Sequence, residues 1–129
     1  MIRITYLLRK REQLSVADFA AYWKEQHAPL VASVATQLGL LRYVQVRTLD
    51  DPLSAASIAA MANARGGMEV PYDGVAEIWF SSRLDLTEAL ATEEGQRASA
   101  ELLAGEANFI DFQRSAMWLG KEHCVVDNR

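Results

Sequence analysis

His27 is the residue of this sequence best placed to move a proton. It lies one i+4 step beyond Trp23, which lies four beyond Phe19. A helix through this segment aligns all three in one stripe and turns the imidazole toward the interior. Pro29 follows closely, and proline disfavours the α conformation of the residue before it, so the helix is expected to stop or kink at about His27. The helix dipole at such a terminus favours the imidazolium, while burial favours the neutral ring. The balance predicts titration near neutrality, which suits a general acid or base. The same spacing also suits a histidine that only bonds the last helix carbonyls or packs beside Trp23. Glu77 is the second candidate, because it interrupts the apolar run Val75-Ala76-Glu77-Ile78-Trp79-Phe80. A carboxylate inside a covered strand needs a cation or hydrogen-bond donor, or it becomes neutral. Arg3, Arg47, Gln45 and Arg114 are candidate partners for a structural pair; the catalytic alternative is a pocket acid or base opposite His27.

The aromatic residues Tyr6, Tyr22, Trp23, Tyr43, Trp79 and Trp118 are numerous enough to line an apolar pocket with a few polar tips, the usual make-up of a small-molecule site. Tyr6, Trp23, Tyr43 and Trp79 are the expected substrate contacts, Tyr43 and Trp79 foremost because strand centres face the interior. Each is also a plausible core residue. Other chemistries find little support. His27 and His123 are the only histidines and stand far apart, so no metal site is expected unless folding or dimerisation brings them or Glu77 together. Gly66-Gly67 lacks the Lys-Ser/Thr of a phosphate loop. No Gly-x-Ser-x-Gly elbow is present. Cys124 beside His123 would point to the opposite face of a strand.

These side chains must be positioned by a small set of elements. Residues 2–9 read as a strand, closed by Arg9-Lys10-Arg11-Glu12. Ser15 and Asp18 form a short capping pattern before a helix ending near His27. Residues 30–37 form a second helical segment before Gly39, and residues 40–49 a second strand. Residues 53–65 are Ala-rich and helical, closed by Gly66-Gly67; this insert, with Met61, Arg65 and Met68, has the residues of either a lid or a decorated surface loop. Pro71-Tyr72-Asp73-Gly74 opens a third strand over 75–81. Helices over 84–91 and 93–108 part at Thr92, an N-cap type, and 112–119 is a fourth strand, with 121–126 as its possible extension. The order is strand–helix–strand–insert–strand–helix–strand. Right-handed, short connections make the α+β, ferredoxin-like split βαβ sandwich with an antiparallel four-stranded sheet its leading fold. One layer of helices covers one sheet face, yet the strands lack the polar alternation of a solvated second face. A partner's sheet is the simplest cover, which predicts a homodimer.

Composition sets the frame. At 129 residues, 50% hydrophobic and 23% charged, the chain is one domain (1–129) with a core of its own. A net charge of −4 gives no reason to expect a nucleic-acid partner, and the basic aromatic signature of RNA-binding sheets is missing. The longest uncharged stretch, Ala28 to Leu41, has 14 residues and contains Pro29 and Gly39. A spanning helix needs about 20 apolar residues, so no membrane span is expected. The first residues do not resemble a signal peptide, and a single cysteine fits a reducing, cytoplasmic setting.

Phe19, Tyr22, Trp23 and the run His27-Ala28-Pro29-Leu30-Val31 together resemble the signature of EthD-domain proteins. Agreement extends to Tyr72-Asp73-Gly74-Val75-Ala76-Glu77-Ile78-Trp79, to Glu106-Ala107-Asn108-Phe109-Ile110-Asp111, and to Glu122-His123. The resemblance implies a dimeric α+β barrel, two ferredoxin-like subunits packed sheet to sheet. Its superfamily includes cofactor-free monooxygenases, lactone isomerases, polyketide cyclases and dehydratases, and haem enzymes. The haem-binding relatives carry a ligating histidine on the later helix, and residues 84–108 here have none; no flavin or nicotinamide fingerprint is present, so no cofactor is expected. Two functions follow. One is a cofactor-independent isomerase, dehydratase/cyclase or monooxygenase that uses His27, with Glu77, on a hydrophobic carbonyl-bearing metabolite. The other is a non-catalytic module that holds such a metabolite for a separate oxidising system.

Overall fold

Strand β1 (Ile2–Leu8) opens the chain in a computed structural model that describes all 129 residues. It becomes the centre of the sheet. Strand β3 (Gly74–Phe80) pairs with one edge of β1 and β4 (Ala116–Lys121) with the other, while β2 (Arg42–Arg47) flanks β3. The order is β2-β3-β1-β4 and every pairing is antiparallel. β1 and β2 are thus separated by β3, so the helices between them must cross over the sheet. That is the split βαβ arrangement.

Helix α1 (Val16–Tyr22) starts where the capping pattern predicts, with Ser15 Oγ accepting from the Asp18 N–H at 3.0 Å. Of the stop or kink expected at about His27, the helix takes a disruption and not a stop. Trp23–His27 forms a π-helical turn, Ala28 keeps right-handed helical angles, and α2 (Ala28–Leu38) follows directly. The Ala28 N–H reaches back five residues to the Trp23 carbonyl. This wider turn absorbs the disruption at Pro29, which sits in the first turn of α2 where its missing N–H costs least. Gly39 ends α2 in the left-handed conformation.

Helix α3 (Pro52–Ala64), capped by Asp51, forms as expected but buries none of its residues; Leu53, Ile58 and Met61 are all exposed. Helices α4 (Arg83–Ala91) and α5 (Glu93–Glu106) part at Thr92, whose hydroxyl accepts from the Gly95 N–H. The fourth strand begins later than the sequence indicates, because residues 112–114 form a 3-10 turn. It also ends at Lys121, leaving His123 and Cys124 exposed beyond the sheet rather than in an extended strand.

Strand alternation divides the sheet's side chains between two faces. Ile4, Tyr6 and Leu8 share one face with Ala76, Ile78, Tyr43 and Gln45. Here the helices pack, and Tyr6, Leu8, Phe19, Trp23, Ala76, Phe109 and Ile110 form the main buried cluster. Gly74 is required at its edge: a Cβ there would lie 2.5 Å from the Trp23 ring. The other face carries Arg3, Thr5 and Leu7 with Val75, Glu77, Trp79, Val44, Val46 and Trp118. Apart from Arg3, Thr5 and Glu77 it is apolar, and it is open to solvent in the single chain, where Val46 and Trp118 are about half exposed. No helix is long and apolar enough to cross a membrane.

Candidate functional site

Between the covered face of the sheet and the helices lies a hollow of about 270 Å³, lined almost wholly by apolar side chains. The strands contribute Tyr6, Tyr43 and Ile78, the π-turn contributes Trp23 and His27, and Leu86, Leu90 and Leu102 close it from α4 and α5. A larger depression of about 430 Å³ beside Arg11 and Gln113 is lined mainly by charged and polar groups and holds none of the residues above.

The π-turn sets the polar groups. By widening the helix it keeps both Trp23 and His27 buried, at 2% and 6% exposure. Gln45 Nε2 on β2 donates to the Trp23 carbonyl at 3.0 Å and to the Tyr43 hydroxyl at 3.2 Å, so the sheet anchors the turn. The His27 ring packs 5.1 Å from that of Phe109, which is fully buried. Its Nδ1 is sealed from solvent with no hydrogen-bond partner. A Cβ on Gly105 would stand 3.5 Å from that nitrogen, an ordinary contact, and 3.0 Å from Leu30 Cδ2, which would have to shift by a few tenths of an ångström, so α5 lies close against the imidazole.

Burial holds the His27 imidazole below its ordinary value. The expected counterweight is missing because the helix runs on past His27, so no helix C-terminus stabilises the imidazolium there. Tyr43 is raised, chiefly by burial and against the donors Gln45 and Trp23. Tyr6 is raised far above the ordinary tyrosine range, chiefly by burial and then by the charge of Glu106. Glu106 itself is pushed up by burial. The site therefore combines a neutral imidazole, two protonated phenols and a carboxyl group with a raised affinity for its proton. Such a set can take a proton from carbon and hold an oxygen without a large net charge in an apolar space.

A model of the EthD domain matches residues 11–113. The chain belongs to the EthD family. Among solved structures, an EthD family protein from Bacillus halodurans superposes with a TM-score of 0.61 at 18% identity, covering 95% of this chain and 99% of that one. A dimeric protein of unknown function and ferredoxin-like fold from Bacteroides fragilis gives 0.56 at 7% identity, with 94% and 95% covered. SnoaB, a cofactor-independent oxygenase from Streptomyces nogalater, gives 0.54 at 14% identity, with 97% and 95% covered. At these identities the likeness concerns the fold, and it confirms the ferredoxin-like sandwich. No curated protein matches the chain.

Within this EthD fold the expected site residues separate. Tyr6, Trp23, His27 and Tyr43 all line the hollow. Trp79 and Glu77 do not. Both stand at odd positions of β3 relative to Ala76 and Ile78 and therefore project from the open face. Trp79 is buried there by Arg42 at 4.5 Å, Arg3 at 5.5 Å and a 2.8 Å hydrogen bond from its Nε1 to Glu122. Glu77 pairs with Arg3 at 3.9 Å, keeps part of its surface and projects from the face opposite the hollow that His27 lines. No residue of the 53–70 insert lines the hollow. His123 is exposed on the C-terminal tail, and no three acidic, histidine or cysteine side chains are grouped to hold a metal ion. Glu106 was not among the residues expected from pattern, since the last turn of a surface helix is an ordinary place for glutamate. The one available signal was Gly105 before it, a small residue where a helix approaches the site.

Proposed function

We propose that this EthD protein is a cofactor-independent enzyme that enolises a hydrophobic, carbonyl-bearing small molecule, with His27 as the base, and that it works as a homodimer. The observation that supports this most is a buried, neutral imidazole that lines an apolar hollow and whose Nδ1, turned toward α5, has no hydrogen-bond partner. A histidine that only packs would be expected to give its ring nitrogens partners, since a buried unpaired polar atom costs about 1–3 kcal/mol. Retaining that cost at a cavity wall fits a group kept ready for a substrate. The substrate's body would fill the leucine-lined end, with Trp23 against it, and its oxygen would meet the Tyr6 and Tyr43 hydroxyls. The imidazole would then take the proton from the carbon next to the carbonyl. Isomerisation, dehydration and cofactor-free oxygenation all begin with this step, and a cofactor-independent oxygenase among the structural neighbours is consistent with it. The dimer reading rests on the uncovered apolar sheet face and on the dimeric neighbour of the same fold. Arg3, Glu77 and Trp79 would then belong to the subunit interface.

The test uses 2-tetralone, an enolisable bicyclic ketone, in D2O. Wild-type protein is expected to speed exchange of the α-hydrogens above the buffer rate, and His27→Ala to lower that acceleration by at least ~10²-fold with its thermal unfolding still cooperative. Binding of 2-tetralone without any acceleration would instead identify a carrier.

A further inference from the structure

The hollow has a base in His27, but a phenol hydroxyl can hold a ligand's oxygen only if its proton points the right way. We infer that Gln45 is a positioning residue that aims the Tyr43 hydroxyl proton at the ligand's carbonyl oxygen. This deepens the enolisation reading and rests on its placing of a ketone in the hollow.

One side-chain amide makes two bonds. Gln45 Nε2 lies 3.0 Å from the Trp23 carbonyl oxygen and 3.2 Å from the Tyr43 hydroxyl oxygen. A carbonyl oxygen only accepts, so the Trp23 bond fixes which end of the amide is nitrogen. The reverse orientation would set two carbonyl oxygens against each other. An amide nitrogen has no lone pair to offer, so the Tyr43 oxygen must accept from it as well. The phenol's own proton is thereby turned away from Gln45, and it is donated to no other group of the protein. Tyr43 lines the hollow together with Trp23 and His27, so a ligand there can receive that proton's hydrogen bond.

The π-turn supplies the anchor. The Trp23 carbonyl already accepts from the Ala28 N–H across the widened turn, and its second lone pair takes the Gln45 bond. Gln45 and Tyr43 occupy alternate positions of β2, so both side chains project to the helix-covered face. Gln45 is not itself a wall of the hollow. It acts through Tyr43. In the enolisation step the α C–H bond breaks, its proton goes to His27, and the electron pair forms the C=C bond as negative charge gathers on the oxygen. Tyr43 keeps its proton and holds that oxygen by a hydrogen bond, and the reverse step returns a proton or deuteron from His27. A donor aimed beforehand needs no reorganisation as the charge develops.

The experiment measures α-exchange of 2-tetralone in D2O for wild type, Gln45→Leu, Tyr43→Phe and the double variant. Tyr43→Phe is expected to lower the maximal rate ~10²-fold, the size of a lost oxyanion donor. Gln45→Leu should lower it ~10-fold, about the effect of one neutral hydrogen bond. Its half-saturating ketone concentration should stay within about twofold, because the loss falls on the transition state. In the Tyr43→Phe background, Gln45→Leu should cost less than about twofold, since the hydroxyl it aims is gone. An amide that only holds the π-turn would cost the same factor in both backgrounds; that result overturns the assignment and leaves enolisation standing. The infrared carbonyl band of bound 2-tetralone, isotope-labelled at the carbonyl carbon, gives a readout that needs no turnover. It should lie at lower frequency in wild type than in Tyr43→Phe. Gln45→Glu keeps the side chain's shape if the leucine variant folds poorly. At about pH 8, well above the ordinary glutamate value, its carboxylate accepts the Tyr43 proton, so its band should match that of Tyr43→Phe. A band unmoved by Gln45→Glu overturns the assignment even where wild type accelerates exchange. If wild type gives no acceleration, the enolisation reading falls and the band alone decides Gln45; with neither acceleration nor a lowered band, both fall.

Discussion

The two faces of one sheet are built from the same strands and do opposite things. On the helix-covered face, Tyr6, Tyr43 and Ala76 meet Trp23, Phe109 and His27, and the space left among them is a partly open apolar hollow with a few polar tips. On the other, Thr5, Leu7, Val44, Val46 and Trp118 meet nothing in the single chain, and the charged groups Arg3, Arg42 and Glu77 gather around Trp79. One residue's shift along a strand moves a side chain from a candidate catalytic cavity to a candidate subunit interface. The lesson is that aromatic content does not locate a site; strand parity does.

The largest effect that separates the faces concerns the core behind the hollow. Phe109 is fully buried and touches Phe19, Tyr22 and His27. Phe109→Ala is expected to cost about 3–5 kcal/mol in a chemical denaturation curve, whereas the half-exposed Trp118 changed to alanine should cost the subunit fold far less than that. Similar losses at both positions would break the distinction. Next in size, the pair Val46→Asp and Trp118→Asp should lower the solution mass from twice 14.3 kDa to one chain by light scattering, since charges buried against a partner's apolar sheet lack compensation. The single chain should still bind 2-tetralone, because its hollow is enclosed by one subunit. A dimer that survives both changes would refute the open face as its interface.

A smaller effect appears on acidification. The His27 value is lowered in the folded chain, so its neutral form is the one the fold favours. That contribution is present above the unfolded value of about 6.5 and is lost as pH falls from there through the folded value. Thermal unfolding scans between pH 7.5 and 5.5, a range of about one unit either side of that value, should show the melting temperature falling with acid. His27→Gln should flatten the curve, and a wild-type curve already flat would contradict the burial argument. The smallest change is expected on α3, where Ile58→Ser at a residue 53% exposed should shift stability by no more than about 0.5 kcal/mol.

Much of this was legible in the residues. The cap at Ser15, the punctuation at Gly39 and Thr92, and the absence of polar alternation in Val75–Phe80 led to the elements, their order and the uncovered apolar face. Helical spacing alone aligned Phe19, Trp23 and His27 inward. What failed had physical causes. Pro29 predicts a stop or a kink at about His27; packing of Trp23 and the Gln45 bond favour a π-turn that carries the helix through rather than ending it. Trp79 and Glu77 were assigned to the hollow because alternation tells which residues share a face without telling which face the helices choose.

The central claim is that ligand chemistry belongs to the helix-covered side and not to the open face. Methyl-labelled protein with 2-tetralone, read by intermolecular NOEs, tests it most directly. The account predicts cross-peaks from the ligand to Val31, Leu86 and Leu90; cross-peaks to Val44, Val46 and Val75 in their place would contradict it.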